Sequence, residues 1–333
     1  MIVWLWLGFV VFVLGMLALD LGVLNRGGHA PSTRSALAWT GVCVGLALAF
    51  AGVVWLVYDR HLFGIGLDPD HAATGSQAAV LFLTGYLVEE SLSLDNVFVI
   101  ALIFTHFRVP AALQHRVLFW GILGALVLRG IMIGLGAVLL DQVAWITYVF
   151  GGILLFTAVK LMVARSETPE PEENLLVRIT QRFLPLTHEY DGSRFFTVRN
   201  GRRVGTLLFL VLLVVESTDV LFAVDSIPAV FAVTTDPFLV FTSNIFAILG
   251  LRSLFFAIST VLGRFVYLKQ SLVFVLGFVG IKMVLAHHVE IPALGSLGVI
   301  VGILGLGVIA SVVHARRHAT GGKSLFDEHP GVD

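Results

Sequence analysis

The sequence predicts an all-α polytopic membrane protein with about nine transmembrane helices. The chain has 333 residues, of which 57% are hydrophobic and only 13% charged, whereas soluble domains are about 25% charged. Its mean hydropathy is +0.95. The net charge of −1 argues against a nucleic-acid-binding surface. Cys43 is the single cysteine, which excludes a disulfide framework and a thiolate metal site.

Runs of about 20 apolar residues, enough to cross a hydrocarbon core of ~30 Å, divide the chain into transmembrane spans. The first run has no basic n-region and no small-residue cleavage site, so we expect it to be a retained helix. The nine predicted spans cover residues 1–24, 36–58, 77–104, 117–140, 142–164, 204–233, 237–262, 270–287 and 292–314.

Basic residues in the loops predict the orientation, because cytoplasmic loops carry an excess of Lys and Arg. The loops on the opposite side hold one basic residue, Arg60. The pattern predicts that the N-terminus lies outside and the C-terminus in the cytoplasm. The basic residues after the first, third, seventh and ninth spans are Arg26, Arg34, Arg108, Arg116, Arg264, Lys269, Arg316, Arg317 and Lys323.

One substantial soluble segment separates two groups of spans. We expect this segment to lie against the membrane, where it could bind a cytosolic partner. Its Asn200-Gly201 pair predicts a β-hairpin, and "THEYDG" (His188, Glu189 and Asp191) leaves a metal sensor as an alternative. The predicted divisions are 1–164 (spans one to five, first acidic motif), 165–203 (cytoplasmic loop), 204–315 (spans six to nine, second acidic motif) and 316–333 (cytoplasmic tail).

Six acidic residues lie inside two of the predicted spans, where each carboxylate costs roughly 2.5–3.5 kcal/mol on insertion scales. The spacing from Glu89 to Asp95 equals that from Asp219 to Asp225, and the two spans run in opposite directions. This arrangement is typical of an inverted-topology repeat, which places an ion site near the midplane. The six are Glu89, Glu90 and Asp95 of "LVEESLSLDNVFVIALIF" and Glu216, Asp219 and Asp225 of "VVESTDVLFAVDSIPAVF".

Helical periodicity sorts these residues by face. Asp95 and Asp225 lie well round their helices from the other acids, so one site with all of them requires local unwinding or several helices. Pro228 predicts such a break in the sixth span, because it removes a backbone hydrogen bond and clashes with the carbonyl of Val224. The residues that share a face are Glu89, Ser93 and Asn96 in the third span, and Glu216, Asp219 and Ser226 in the sixth.

The oxygen ligands of both motifs suit hard divalent cations such as Mn²⁺, Mg²⁺ or Ca²⁺, and the lack of His and Cys there argues against Zn²⁺ and Cu⁺. Neighbouring carboxylates also hold protons readily, which predicts exchange of protons for the metal. An alternative is that the acids neutralise the buried bases Arg129, Arg252 and Lys282 of spans four, seven and eight. Those three bases can neutralise at most three of the six acids, and the excess of up to −3 favours a cation or protons.

The chain resembles the TerC family of integral membrane proteins, within the wider LysE-like transporter superfamily. The resemblance lies in "LDLGVLNRGGH", "FLTGYLVEESLSLDNVFVIALIF", "LFWGILGALVLRGIMI" and "ESTDVLFAVDSIPAVFAVTTDPFLVFTSNIFAILGLRSLFF". The resemblance implies a helical fold with inverted repeats. It also implies metal-ion handling, since members of the family are described as manganese exporters and the family is named for tellurium resistance. The ligands it implies are Glu89, Asp95, Glu216, Asp219 and Asp225, with Asn96 continuing the first motif. The residues expected to support the ligands or the coupling are Glu90, Ser93, Ser226, Arg129, Asn244, Arg252 and Lys282.

These observations lead to the hypothesis of an Mn²⁺ exporter in a bacterial inner membrane, with Ca²⁺ or Mg²⁺ as other candidate ions. We expect no organic cofactor and no enzymatic activity. Three alternatives stay open: a non-transporting membrane subunit of a tellurite or metal-stress resistance complex, an intramembrane aspartyl hydrolase with Asp95 and Asp219 as its dyad, and an amino-acid exporter. The dyad does not explain the additional Glu residues, and the acidic excess suits only the amine of an amino acid.

Overall fold

Nine long helices make up most of the described chain, and each predicted span coincides with one of them. The computed structural model describes residues 2–24, 33–65, 73–143, 145–163, 185–187, 189–199, 201–258, 267–286 and 291–321. The helices are α1 (Ile2–Leu24), α2 (Thr33–Asp59), α3 (Gly75–His106), α4 (Ala111–Gln142), α5 (Ile146–Val163), α6 (Leu207–Phe231), α7 (Pro237–Ile258), α8 (Leu268–Leu285) and α9 (Ala293–Gly321).

Among the described residues, six helices are long and apolar enough to cross a membrane: α2, α4, α5, α6, α7 and α9. The apolar stretches of α1 and α8 are shorter, Val3–Leu19 and Gln270–Leu285, and α3 carries the first acidic motif. The all-α membrane architecture is confirmed. The count of nine crossings and the orientation stay predictions.

The helix α7 lies at the centre of the packing. Of the residues in its most apolar stretch, 94% are buried, whereas the corresponding share is 17–44% in the other five long apolar helices. It packs on α2, α3 and α4, while α3 and α4 both pack on α6 and α5 pairs with α8. Most of the helix surface outside this centre is apolar and exposed, as lipid contact requires.

Side-chain caps define where the helices of this centre begin. Thr74 and Gln77 form a capping box before α3, and Thr206 accepts a hydrogen bond from the α6 backbone. Asp236 accepts one from Phe238 N at 2.9 Å before α7. Because the first backbone N–H groups of a helix have no internal partner, these oxygens set the helix starts.

The predicted break at Pro228 is wrong, because α6 continues through this residue to Phe231. Pro228 lies in the last turn, so the helix loses a single backbone bond close to its end. The N–H of Ala232 then donates to the carbonyl of Pro228 at 2.9 Å, which closes the helix normally.

A short hairpin lies at the end of the segment between α5 and α6, and this segment docks on the end of α3. Strands β1 (Phe196–Arg199) and β2 (Arg202–Gly205) are antiparallel, and Gly201 has φ +73°, which confirms the Asn-Gly hairpin prediction. The Tyr190 hydroxyl donates to the carbonyl of Phe107, just after α3, at 2.9 Å. Residues 164–184 and His188, with most of the predicted linker and the proposed sensor ligand, lie outside the described residues.

Candidate functional site

A fully buried arginine joins the two acidic motifs. Arg129 of α4 is 0% exposed. Its Nε and Nη2 donate to the two carboxylate oxygens of Asp219 on α6, at 3.1 and 2.9 Å. Its Nη1 donates to Glu89 on α3 and to Oδ1 of Asn244 on α7, the latter at 3.1 Å. Such forked, charge-assisted bonds are the strong class of side-chain hydrogen bonds.

Asn244 completes the arrangement by donating from Nδ2 to Oε2 of Glu89 at 2.9 Å. Both oxygens of Glu89 therefore have a donor, although its side chain is 0% exposed. Ser226 Oγ lies 3.4 Å from Arg129 Nη1. We call Glu89, Arg129, Asp219, Ser226 and Asn244 the arginine network. The sequence predicted every member of this network. It predicted Glu89 and Asp219 as metal ligands and Arg129 as a supporting base.

Small residues on α4 bring α6 close to this network. A Cβ at Gly121 would lie 3.5 Å from Val215 Cγ1, and a Cβ at Gly124 would overlap the carboxylate of Glu216. Glu216 therefore lies directly against the α4 backbone. Sequence reasoning missed Gly124; its signal is the small-residue pattern of Gly121, Gly124 and Ala125, which is typical of close helix contacts in membranes.

Glu216 and Asp219 line a small cavity between α3, α4, α6 and α7. The cavity has a volume of about 30 Å³ and is otherwise lined mainly by apolar side chains and by Gly121, so it is large enough for a water molecule or a bare ion. The Oε2 atom of Glu216 is buried and has no hydrogen-bond partner among the described residues. A buried carboxylate oxygen without a donor is costly, which makes it a candidate for a proton or a cation.

Two further oxygens without a partner lie on the Glu89 face of α3. Ser93 and Asn96 are 0% and 3% exposed, and neither Ser93 Oγ nor Asn96 Oδ1 has a hydrogen-bond partner in the described part of the chain. They follow Glu89 at the spacing of one and two helical turns. The predicted face of α3 therefore carries oxygens that are available to a ligand.

Asp225 lies apart from the arginine network, in contact with α5. Thr157 Oγ1 donates to Asp225 Oδ1 at 2.8 Å, and the positive charge of Lys160 lies close enough to act on the same carboxylate. This position agrees with the periodicity, which placed Asp225 well round α6 from Asp219. Thr157 was not predicted, because its own helix contains no acidic motif.

Glu90 also points away from the arginine network, since it follows Glu89 by one residue and so lies on another face of α3. It interacts with the Tyr86 hydroxyl one turn earlier, and a Cβ at Gly250 of α7 would lie 4.0 Å from Glu90 Oε1 and 3.8 Å from Cys43 Cβ. Its Oε2 is buried without a hydrogen-bond partner among the described residues. Glu90 is therefore a buried acid of its own, between α2, α3 and α7.

Three other predicted residues remain to be placed. The side chains of Asp95 and Arg252 lie outside the described residues, and Lys282 forms no ion pair with a described side chain. Over the same residues, no three His, Cys, Asp or Glu side chains converge on one metal-sized site. The physical reason is visible at the centre, where the guanidinium of Arg129 lies between Glu89 and Asp219.

Comparison with known proteins decides the family. The family model "Integral membrane protein TerC family" matches residues 74–319, which contain the whole arginine network. The chain belongs to the TerC family. This TerC protein is thus an integral, multi-pass membrane protein in contact with the lipid bilayer, as the resemblance predicted.

Relatives of this TerC protein match over almost its full length. A Myxococcus xanthus protein named "Uncharacterized membrane protein STKORF319" is 50% identical over 316 residues, 95% of this chain and 94% of the relative. An Escherichia coli (strain K12) protein named "Putative membrane-bound redox modulator Alx" is 47% identical over 315 residues, 94% and 96% of the two chains. A Rickettsia bellii membrane protein is 37% identical over 308 residues, 92% and 97%. No solved structure matches this chain.

Proposed function

We propose that this TerC protein transports divalent metal ions across the bacterial inner membrane, that its principal activity is Mn²⁺ efflux, and that it is not an enzyme. The observation that carries the proposal is the charge of the buried centre. Glu89, Asp219 and Glu216 bring three carboxylates to one guanidinium, Arg129, so the ionised set has a net charge of −3 + 1 = −2. One divalent cation or two protons would balance it, which supports exchange of one for the other.

The ligand chemistry supports Mn²⁺ or a similar hard cation. Every free or exchangeable ligand near the centre is an oxygen, from the carboxylates and from Ser93 and Asn96. Carboxylate and amide oxygens suit Mn²⁺, Mg²⁺ and Ca²⁺. Asp225 is the next carboxylate of α6 towards the predicted outside, and we propose that it receives the ion or a proton on the exit path.

The test is Mn²⁺ flux in proteoliposomes that contain only this chain. Asp219→Asn and Glu216→Gln should abolish flux while the protein still inserts in the membrane, because each removes a charge of the centre. Glu189→Gln is the matched control, since Glu189 is 68% exposed in a surface ion pair with Arg199. Normal flux in both site variants would show that the site is wrong, and no flux in the wild type would show that the function is wrong.

The hydrolase alternative is less well supported than transport. An aspartyl dyad needs two carboxylates that share one proton, but both oxygens of Asp219 accept hydrogen bonds from Arg129. Both oxygens of Asp219 are thus engaged by guanidinium donors rather than by a second carboxyl group. Asp219 is therefore better suited to bind a cation than to act in a dyad.

A second candidate is a membrane subunit that modulates redox state without transport, as the names of the Escherichia coli and Shigella flexneri relatives suggest for those proteins. The docked segment around Tyr190 offers a folded surface at the cytoplasmic ends of α3 and α6. Because Mn²⁺ is itself redox-active, its efflux would also alter redox state. Flux by the isolated chain separates the two, since a subunit would carry none.

A further inference from the structure

We propose that Arg129 is a tethered cation that takes the place of the transported ion in the ion-free carrier and is displaced when the ion binds. This inference rests on the proposed function and adds an account of what neutralises the site's carboxylates when no ion is bound. The guanidinium donates hydrogen bonds to oxygens on three helices. These are both carboxylate oxygens of Asp219, one of Glu89, and the carboxamide oxygen of Asn244. Carboxylate and amide oxygens on several helices are the set that would surround a hard cation.

The charges explain why such a tethered cation is useful. Without Arg129, the ion-free centre would bury Glu89 and Asp219 side by side with no counter-charge, which is strongly unfavourable in a medium of low dielectric. With Arg129 in place, both carboxylates stay paired when the ion leaves. The remaining charge of −2 is then left for two protons, so the empty carrier can return without the further unpaired charge that the loss of Arg129 would add.

The packing gives the displaced guanidinium a second acceptor. Arg129 is bonded to Asp219, and Asp219 lines the same cavity as Glu216. Glu216 Oε2 has no donor among the described residues. The cavity allows the end of the guanidinium to turn from Glu89 and Asn244 towards Glu216 while the site on the Glu89 side opens.

The experiment compares Mn²⁺ binding, net Mn²⁺ flux and Mn²⁺–Mn²⁺ exchange in the purified full chain. For Arg129→Gln we expect Mn²⁺ to bind at least about tenfold more tightly, because the competing cation is gone. Net flux should fall at least about tenfold, because the empty carrier lacks its counter-charge. Exchange should persist, since only loaded carriers take part in it. Arg199→Gln, at a 53% exposed arginine, is the matched control and should change none of the three.

A merely structural role predicts the opposite pattern, in which Arg129→Gln weakens binding and lowers net flux and exchange together; that result would overturn the inference. If Arg129→Gln does not fold, Arg129→Lys provides the test, because lysine keeps the positive charge but lacks the planar group that bonds both oxygens of a carboxylate. It should bind Mn²⁺ more tightly than the wild type and retain net flux, and weaker binding would again overturn the inference. A wild type without Mn²⁺ binding or flux would instead refute the proposed function.

Discussion

Arg129 and Asp219 form a two-pronged ion pair across the contact between α4 and α6, with Nε–Oδ2 and Nη2–Oδ1 distances of 3.1 and 2.9 Å. The side chain of Arg129 is 0% exposed and that of Asp219 is 16% exposed. In such a setting the pair adds little net stability over an apolar pair of the same shape, but loss of one partner strands the other charge. The relationship therefore makes sharp predictions about single substitutions.

Loss of the Asp219 charge should destabilise the protein as well as abolish transport. We expect Asp219→Asn to lower the free energy of unfolding by about 3 kcal/mol, since Arg129 would retain only Glu89 as a charged partner. Thermal unfolding in detergent measures the change. Glu189→Gln, which breaks an exposed ion pair, should cost only about 0–1 kcal/mol. Equal melting temperatures for both variants would contradict the described pair.

A methyl group at Gly124 should disturb Glu216. A Cβ there would overlap the Glu216 carboxylate, so we expect Gly124→Ala to displace that carboxylate. Mn²⁺ flux should fall at least about tenfold, which corresponds to a rise of ~1.4 kcal/mol in the activation free energy of transport. Gly134→Ala on the same helix is the matched control, since no other described side chain lies within 4 Å of its Cβ position. That variant should keep wild-type flux. Equal flux in the two variants would mean that the position of Glu216 does not matter.

The hydroxyl of Thr157 should matter through Asp225. Thr157→Val keeps the shape but removes the donor at 2.8 Å from the Asp225 carboxylate, a charge-assisted bond of about 1.5–3 kcal/mol. We expect slower Mn²⁺ flux with unchanged Mn²⁺ affinity, because Asp225 lies away from the arginine network. Thr105→Val is the control, since the Thr105 hydroxyl donates to the carbonyl of Ala101 on its own helix and to no other described residue. A change in affinity for Thr157→Val would place Asp225 in the binding site itself.

Tyr190 should fix the segment between α5 and α6 to α3. Tyr190→Phe removes the hydrogen bond to the Phe107 carbonyl, which should cost about 1 kcal/mol locally and speed amide exchange in residues 189–199 without loss of flux. Burial raises the pKa of Tyr190 above its ordinary 10.0, so the neutral phenol stabilises the docked state. The stabilisation by the neutral phenol is complete below pH 10. It is lost only as the pH rises through the higher pKa that Tyr190 has in the folded protein. Exchange that is already fast at neutral pH in the wild type would contradict this docking.

The sequence by itself determined the helices and the grouping of acids by face. The length of an apolar run and the 3.6-residue period are local properties, so every predicted span coincides with a helix. Asp219 and Ser226, which were predicted to share a face, both meet the guanidinium of Arg129. The Asn200-Gly201 turn is local as well. Pro228 misled because its effect depends on how close it lies to the helix end, which the apolar pattern does not mark sharply.

Only the tertiary structure decided which charges meet. Arg129 was one of three buried bases and could have faced any of six acids; that it pairs with Asp219 and Glu89, while Thr157 holds Asp225, depends on which helix faces pack together. That packing follows from shape, in particular from Gly124, where the missing side chain admits Glu216. These partners lie 40 to 115 residues apart in the sequence, so no local pattern links them. Burial in a medium of low dielectric favours each pairing, because a carboxylate there gains more from a donor or a cation than it would in water.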